Sequence, residues 1–417
     1  MIMKTKTPSK CTDQSIQDIS DWIVSQALTS QSLDDVLAGF CQHLNKNCFN
    51  LVRVNVAMSA LHPTIVAQTI SWMKDHGSDA EDVMHSDAPR TDWLSSPIRI
   101  LTEGSDEVRH RLDQGTSWQG YPILERLRDM GATDYFAAAS SFSNTFSEDK
   151  DAIARIDGVI VSWATDQKGG FTENQINVLK RLLPRFAIAA KIANRERTTL
   201  NILGAYLGGD AAERVLDGQI RLGDGNVIPS VIWYSDLRDS TPLADRLPGP
   251  EFLSLLNAFF DCTAGSVLAQ GGDVLRFIGD AVLAIFPIEE GRFTVKQACE
   301  AALKAACEAE QRVATYNKNR LDPDAPEINF GLGLHKGEVL FGNIGIPERV
   351  EFSVIGPAAN EVARLEGMTK ELGKTVLVSD AFHHGLSDQT DMILDYLGAF
   401  PMKGVSNPQK IYTPKIV

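Results

Sequence analysis

No two of the six cysteines form a CxxC pair, and none is spaced from a histidine as metal ligands are, so a cysteine-based metal centre is not expected. Cys262, Cys299 and Cys307 fall in expected helices and read as small core residues of a reducing compartment, which makes cytoplasm the expected location. Basic residues are outnumbered, 40 against 54 acidic, leaving a formal charge of −14. That balance argues against nucleic acid or an anionic membrane as a bulk partner. No apolar run approaches bilayer length; Phe186 to Ala193 is short and contains Lys191, so no membrane span is expected. Met1 to Thr12 is polar and basic with no apolar segment, so no signal peptide is expected. Repeats and low-complexity tracts are also missing. What remains, 43% hydrophobic and 23% charged residues, is the composition of a globular chain long enough for two or three domains.

The N-terminal half reads as mixed α and β. Ser15 to Cys48 has helical spacing with a break near Ser30, Leu51 to Ser59 alternates as a strand, and Val66 to Met73 is a further strand candidate. Loops are expected around Gly77 to Arg90 and Gly104 to Asp106. Ile123 to Met130 reads as a helix, and Thr133 to Phe142 and Gly158 to Ala164 as strands. Thr172 opens a helix to Asn194, in which Pro184 is expected to cause a bend or an interruption. Residues 195–226 mix a charged helical start with glycine turns.

The second half is organised around two carboxylates. Val274 to Ile278 and Ala281 to Phe286 flank Gly279-Asp280, a hairpin signal that places Asp280 at a tip. Alone, Asp280 reads as a turn former. Ser230 to Ser235 is a β-branched and aromatic run ending in Asp236, and the polar residues after it suit a helix start whose N–H groups can hold phosphate. The intervening Pro250 to Gln270 has mostly helical spacing, so a strand, a crossover helix and a hairpin set Asp236 beside Asp280. In outline this is a divalent-metal site. Further on, a strand passes through Gly356-Pro357 into a helix on which Asn360 and Arg364 share a face. The expected elements are strand 229–236, helix 250–269, hairpin 273–286, helix 294–317, strands 328–341 and 349–355, and helix 357–372, with helices on one face of an antiparallel sheet.

The segments WYSDLRDST (Asp236), LRFIGDAVLAIF (Asp280), GLGLHKGEVLFGNIG (residues 331–345) and FSVIGPAANEVARLE (residues 352–366) together resemble the class III nucleotidyl cyclase catalytic domain. The expected fold class is therefore α+β, with a ferredoxin-like βαββαβ cyclase domain at 227–417. A helical linker at 191–226 precedes it. Element order and residues 157–182 resemble a GAF-type sensory domain at 1–190, for which Trp72, Trp93, Trp118 and Trp163 are candidate lining of a pocket for an unknown small ligand.

The resemblance implies an adenylate cyclase converting ATP to 3′,5′-cyclic AMP and pyrophosphate, regulated by its N-terminal half. It implies that Asp236 and Asp280 hold two divalent cations, Mg²⁺ or Mn²⁺, and that the backbone of Leu237, Arg238, Asp239, Ser240 and Thr241 cradles the phosphates. Asp239 reads as a local cap. Asn360 orients the ribose, Arg364 stabilises the transition state, and Lys403 reaches the triphosphate. Arg276 and Ser353 occupy the base-selecting positions, where adenylate cyclases usually carry Lys and Asp and guanylate cyclases Glu and Cys. His335 and Lys336 stand at the base of an arm used in dimer contact. One chain carrying both halves of the site implies a head-to-tail homodimer with two shared active sites. A guanylate or dual cyclase, and a non-catalytic nucleotide-binding signalling protein, are the alternatives.

Overall fold

A computed structural model describes residues 11–29, 31–60, 64–84, 91–142, 158–320, 325–386, 394–402 and 407–415. Ser30 and Lys403 lie outside these. The chain divides into two compact units, Met1–Ile202 and Leu203–Val417.

In the first unit α1 (Asp13–Ala27) and α2 (Leu33–Asn47) precede β1 (Leu51–Ser59), β2 (Ile65–Met73) and β3 (Gly77–Met84). Short helices α3 (Thr91–Leu94) and α4 (Arg99–Thr102) lead to β4 (Glu107–Arg111), α5 (Pro122–Asp129), β5 (Asp134–Ser141), β6 (Gly158–Thr165) and α6 (Glu173–Leu207), which runs across the boundary between the units. The strands form one antiparallel sheet in the order β3-β2-β1-β6-β5-β4. β3 occupies part of an expected loop. Its sequence, GSDAEDVM, is almost wholly exposed and has no apolar alternation to announce it; pairing with β2 makes it a strand.

The alternation of β1 gives the sheet two different faces. Val54, Val56 and Met58 join α1, α2 and α6 in the main core, whereas Arg53 and Asn55 face the side where Leu101, Leu124 and Leu127 pack. Of the four candidate tryptophans, Trp72 and Trp163 are buried in the main core, whereas Trp93 lines a cavity. Pro184 does not interrupt α6. Proline removes one helical hydrogen bond, but Leu182, Leu183, Phe186 and Ala187 around it are buried, and their packing holds the helix through the defect. Cys11 and Cys48 are joined in a disulfide linking the approach to α1 with the end of α2, a pairing at odds with the reducing compartment expected from Cys262, Cys299 and Cys307.

The second unit begins with α7 (Gly209–Leu216) and the long strand β7 (Gly225–Leu237). There follow α8 (Ser240–Arg246), α9 (Gly249–Ala269), β8 (Asp273–Ile278), β9 (Ala281–Pro287) and α10 (Val295–Lys318). A long hairpin of β10 (Phe330–Ile346) and β11 (Arg349–Ile355), α11 (Pro357–Leu372), β12 (Val376–Ser379), α12 (Asp380–His383), β13 (Leu394–Phe400) and β14 (Gln409–Pro414) complete it. The sheet order is β13-β14-β12-β10-β7-β9-β8, with β11 paired to β10. All its pairs are antiparallel except β10 with β12.

Helices cover both faces of this sheet, not one. Val231 and Trp233 pack with α9 and α10, while Ile228 and Ile232 pack with Ala211 of α7 and Val362 of α11. A strand covered on both sides reads as a continuous apolar run, which is how residues 231–234 read. α9 is also long and apolar enough to cross a membrane by length and composition, contrary to the expectation that no segment is. Here Leu255, Phe259 and Val267 bury it in the core against α10.

Two glycines let α11 lie close on β10. A Cβ on Gly333 would stand 2.7 Å from the Val362 carbonyl oxygen, a backbone atom that cannot swing away. Gly333→Ala is expected to lower stability by about 1–3 kcal/mol, as overpacking does. Chemical denaturation read by circular dichroism checks this, and an unchanged midpoint would show that α11 is held less closely.

Candidate active site

β7 and the β8–β9 hairpin bring the two expected carboxylates together. Asp236 is paired with Ala281 across β7 and β9, and the Leu237 N–H donates to the Asp280 carbonyl at 3.2 Å. The side chains are near enough for a hydrogen bond between them. Burial first, then the charge of Asp280 and that bond, push Asp236 up to about 7, with Glu366 adding to the rise and the Leu237 N–H opposing it. Asp236 Oδ1 is buried without a hydrogen-bond partner. A buried acceptor with nothing to accept from, beside a second carboxylate, fits a divalent cation bound through few protein oxygens.

A third carboxylate belongs to the cluster. Glu366 on α11 is raised by burial, with Asp280 adding to the rise while Thr369 and Arg238 oppose it. It reaches the sheet because Gly331, opposite Asp236 on β10, offers no side chain in its way. Sequence reading missed Glu366. The available signal was the alternation of Gly331 and Gly333, which opens a channel under α11 at positions in register with Asp236 and Tyr234.

Asn360 and Arg364 lie on the exposed face of α11, and among the described residues neither makes a side-chain hydrogen bond or ion pair. Arg276 on β8 forms an ion pair with Glu351 of β11. Ser353 is buried two residues further along β11, opposite Gly342.

Residues 228–414 match the family model described as the adenylate and guanylate cyclase catalytic domain. The second unit carries that domain. The chain is 28% identical over 201 residues to an adenylate cyclase of Anabaena cylindrica, covering 47% of this chain and 38% of that protein. It is 30% identical over 182 residues to adenylate cyclase 1 of Rhizobium meliloti, covering 43% and 26%. It therefore spans well under half the length of these relatives. A solved structure of a bacterial light-regulated adenylyl cyclase is similar at 26% identity and a TM-score of 0.39, covering 45% of this chain and 91% of that one.

Within the cyclase domain the stretch after Asp236 is partly committed. The Leu237 N–H is spent on Asp280 and the Arg238 N–H on the Asn329 carbonyl at 2.8 Å, which leaves those of Asp239, Ser240 and Thr241 facing the start of α8. Asp239 takes the N-cap position in left-handed backbone, φ 57°, but its side chain makes no cap bond and lies 3.5 Å from Lys370 Nζ. Asp239 is thus the N-cap residue, but its left-handed backbone departs from the extended conformation in which a capping side chain reaches back to the helix N–H groups, and the cap bond is not made. His335, on β10, accepts or donates to Ser379 at Nδ1 and lies 3.5 Å from Glu361 at Nε2, so it braces α11 against the sheet.

The raised Asp236 has a consequence for stability. Its folded value lies above the ordinary carboxylate value, so the protonated form is favoured in the folded state. The contribution is present below about pH 4 and is lost as pH rises towards 7. Metal-free protein is therefore expected to melt at lower temperature at pH 8 than at pH 6, and added Mg²⁺ or Mn²⁺ to recover the loss. In Asp236→Asn this part of the pH dependence disappears. Differential scanning calorimetry checks it, and an identical pH profile in the variant would contradict it.

Proposed function

We propose that the chain is an adenylate cyclase that forms 3′,5′-cyclic AMP and pyrophosphate from ATP, as a homodimer with two shared sites. The observation that carries this is the pairing of Asp236 with Asp280 around a buried oxygen lacking a partner. Divalent cations held there would supply a lowered pKa for the ribose 3′-hydroxyl and neutralisation of charge on the departing pyrophosphate. Asp236 and Asp280 would hold them, and Glu366 adds negative charge at the same place. The N–H groups of Asp239, Ser240 and Thr241 serve the phosphates. Arg364 aims a guanidinium at the charge that develops in the transition state, and Asn360 holds the ribose.

Support for the dimer comes from the surface of the domain. Asn360 and Arg364 are exposed and unengaged, as residues that complete a partner's site are. The β10–β11 hairpin leaves Leu340, Ile344, Ile346, Val350 and Ile355 exposed, an apolar set suited to a second copy. The first unit is assigned a regulatory role, and the cytoplasm, where ATP is supplied, is the compartment this reading requires.

Arg276 and Ser353 would select adenine, Arg276 donating to N1 and the Ser353 hydroxyl accepting from the N6 amine. One observation favours a guanylate or dual cyclase. Glu351, paired with Arg276 near Ser353, is an acceptor suited to the N1–H and N2 amine of guanine. Steady-state kinetics with ATP and GTP decides between them. A higher kcat/KM for ATP is expected, and a higher value for GTP would assign Arg276, Glu351 and Ser353 to guanine.

A further inference from the structure

A cavity opens on the face of the N-terminal sheet opposite the main core, where β1 turns its polar positions. It has two lobes of about 270 Å³ and 170 Å³ that share Arg53, Asn55, Ser96 and Ile98. Together they fall in the size range of small-molecule sites. We propose that this cavity binds a small organic oxyanion with a flat apolar body, its anionic head between Arg53 and Arg126 and its body against Trp93.

The two lobes differ in chemistry. The smaller is lined by Arg53, Arg126, Tyr135 and Ser162 and contains no carboxylate. Arg53 donates to Ser71 Oγ at 3.0 Å, and Asn55 donates to the same oxygen at 2.9 Å, so the guanidinium is oriented by neutral groups. Burial lowers Arg53 from its ordinary value, and the neighbouring Arg126 cation pushes the same way while Tyr135 opposes. Two guanidiniums that repel each other across a small polar space are relieved by an oxyanion placed between them, through charge-assisted and often paired hydrogen bonds. The larger lobe adds Val83, Ile160 and the Trp93 ring, which suit a planar apolar group; its one carboxylate, Glu81, does not line the smaller lobe.

The geometry serves a carboxylate or a phosphate ester equally, so the test carries both. Isothermal titration calorimetry of the full chain, without nucleotide, compares indole-3-acetate, phenyl phosphate and the neutral analogue indole-3-ethanol. At least one anion is expected to bind about tenfold or more tightly than the alcohol, and the better of the two identifies the head group. Arg126→Gln changes an exposed residue of α5 and is expected to remove that preference with the fold intact. Arg53→Gln, which is partly buried, is expected to do the same, and a folded Arg126→Gln keeps the test decisive if Arg53→Gln does not fold. Equal binding of acid and alcohol, no binding by either anion, or an unchanged preference in Arg126→Gln would overturn the proposal. Because the readout is binding alone, its failure and that of the cyclase reading are separate results.

Discussion

Asp280→Ala is expected to reduce cyclic product by about 10³-fold or more while leaving the circular dichroism spectrum unchanged. Asp280 sits in the two-residue turn between β8 and β9 and contributes little to the core, so the fold survives its loss. The reaction does not, because several kcal/mol of charge stabilisation at the attacking and leaving oxygens pass through the metal site, and each 1.36 kcal/mol is a factor of ten. The variant also removes the charge and the hydrogen bond that help to raise Asp236, leaving burial as the main cause. Chromatographic assay of the product checks the outcome. Retention of activity within about tenfold would mean that Asp236 and Glu366 suffice to hold the metal, a smaller loss than a missing shared ligand should bring.

Arg364→Ala is expected to lower kcat by about 10²–10³, with KM changed far less, if its guanidinium meets, as proposed, negative charge that develops in the transition state. A second consequence tests the shared site. If each site takes its metal carboxylates from one protomer and Arg364 from the other, mixing Asp280→Ala with Arg364→Ala produces heterodimers with one doubly damaged site and one intact site. Random pairing then restores up to about a quarter of wild-type activity. Residual activities that merely add would show that each chain completes its own site.

The carboxylate pair was legible in the sequence because its signals are local. Gly279-Asp280 between two apolar runs defines a turn, and the run from Val231 to Tyr234 ending at Asp236 defines a strand, so their adjacency follows from the order of elements. Bounds such as 273–278 for β8 and 357–372 for α11 follow from the same punctuation. Glu366 was not legible, because its place depends on how α11 rotates over β10, and that is fixed by the absence of side chains at Gly331 and Gly333. β3 escaped notice since an exposed edge strand has no apolar period, and the ion pair of Arg276 with Glu351 joins residues on strands that no local pattern links. Pro184 shows the opposite case, a strong local signal overruled by packing.

The most direct test is to supply the purified chain with ATP and Mn²⁺ and to measure cyclic AMP and pyrophosphate in the same sample. Equal amounts of the two are expected, both abolished by a chelator and both missing with Asp280→Ala. Pyrophosphate released with AMP, or no product with either ATP or GTP, would contradict it.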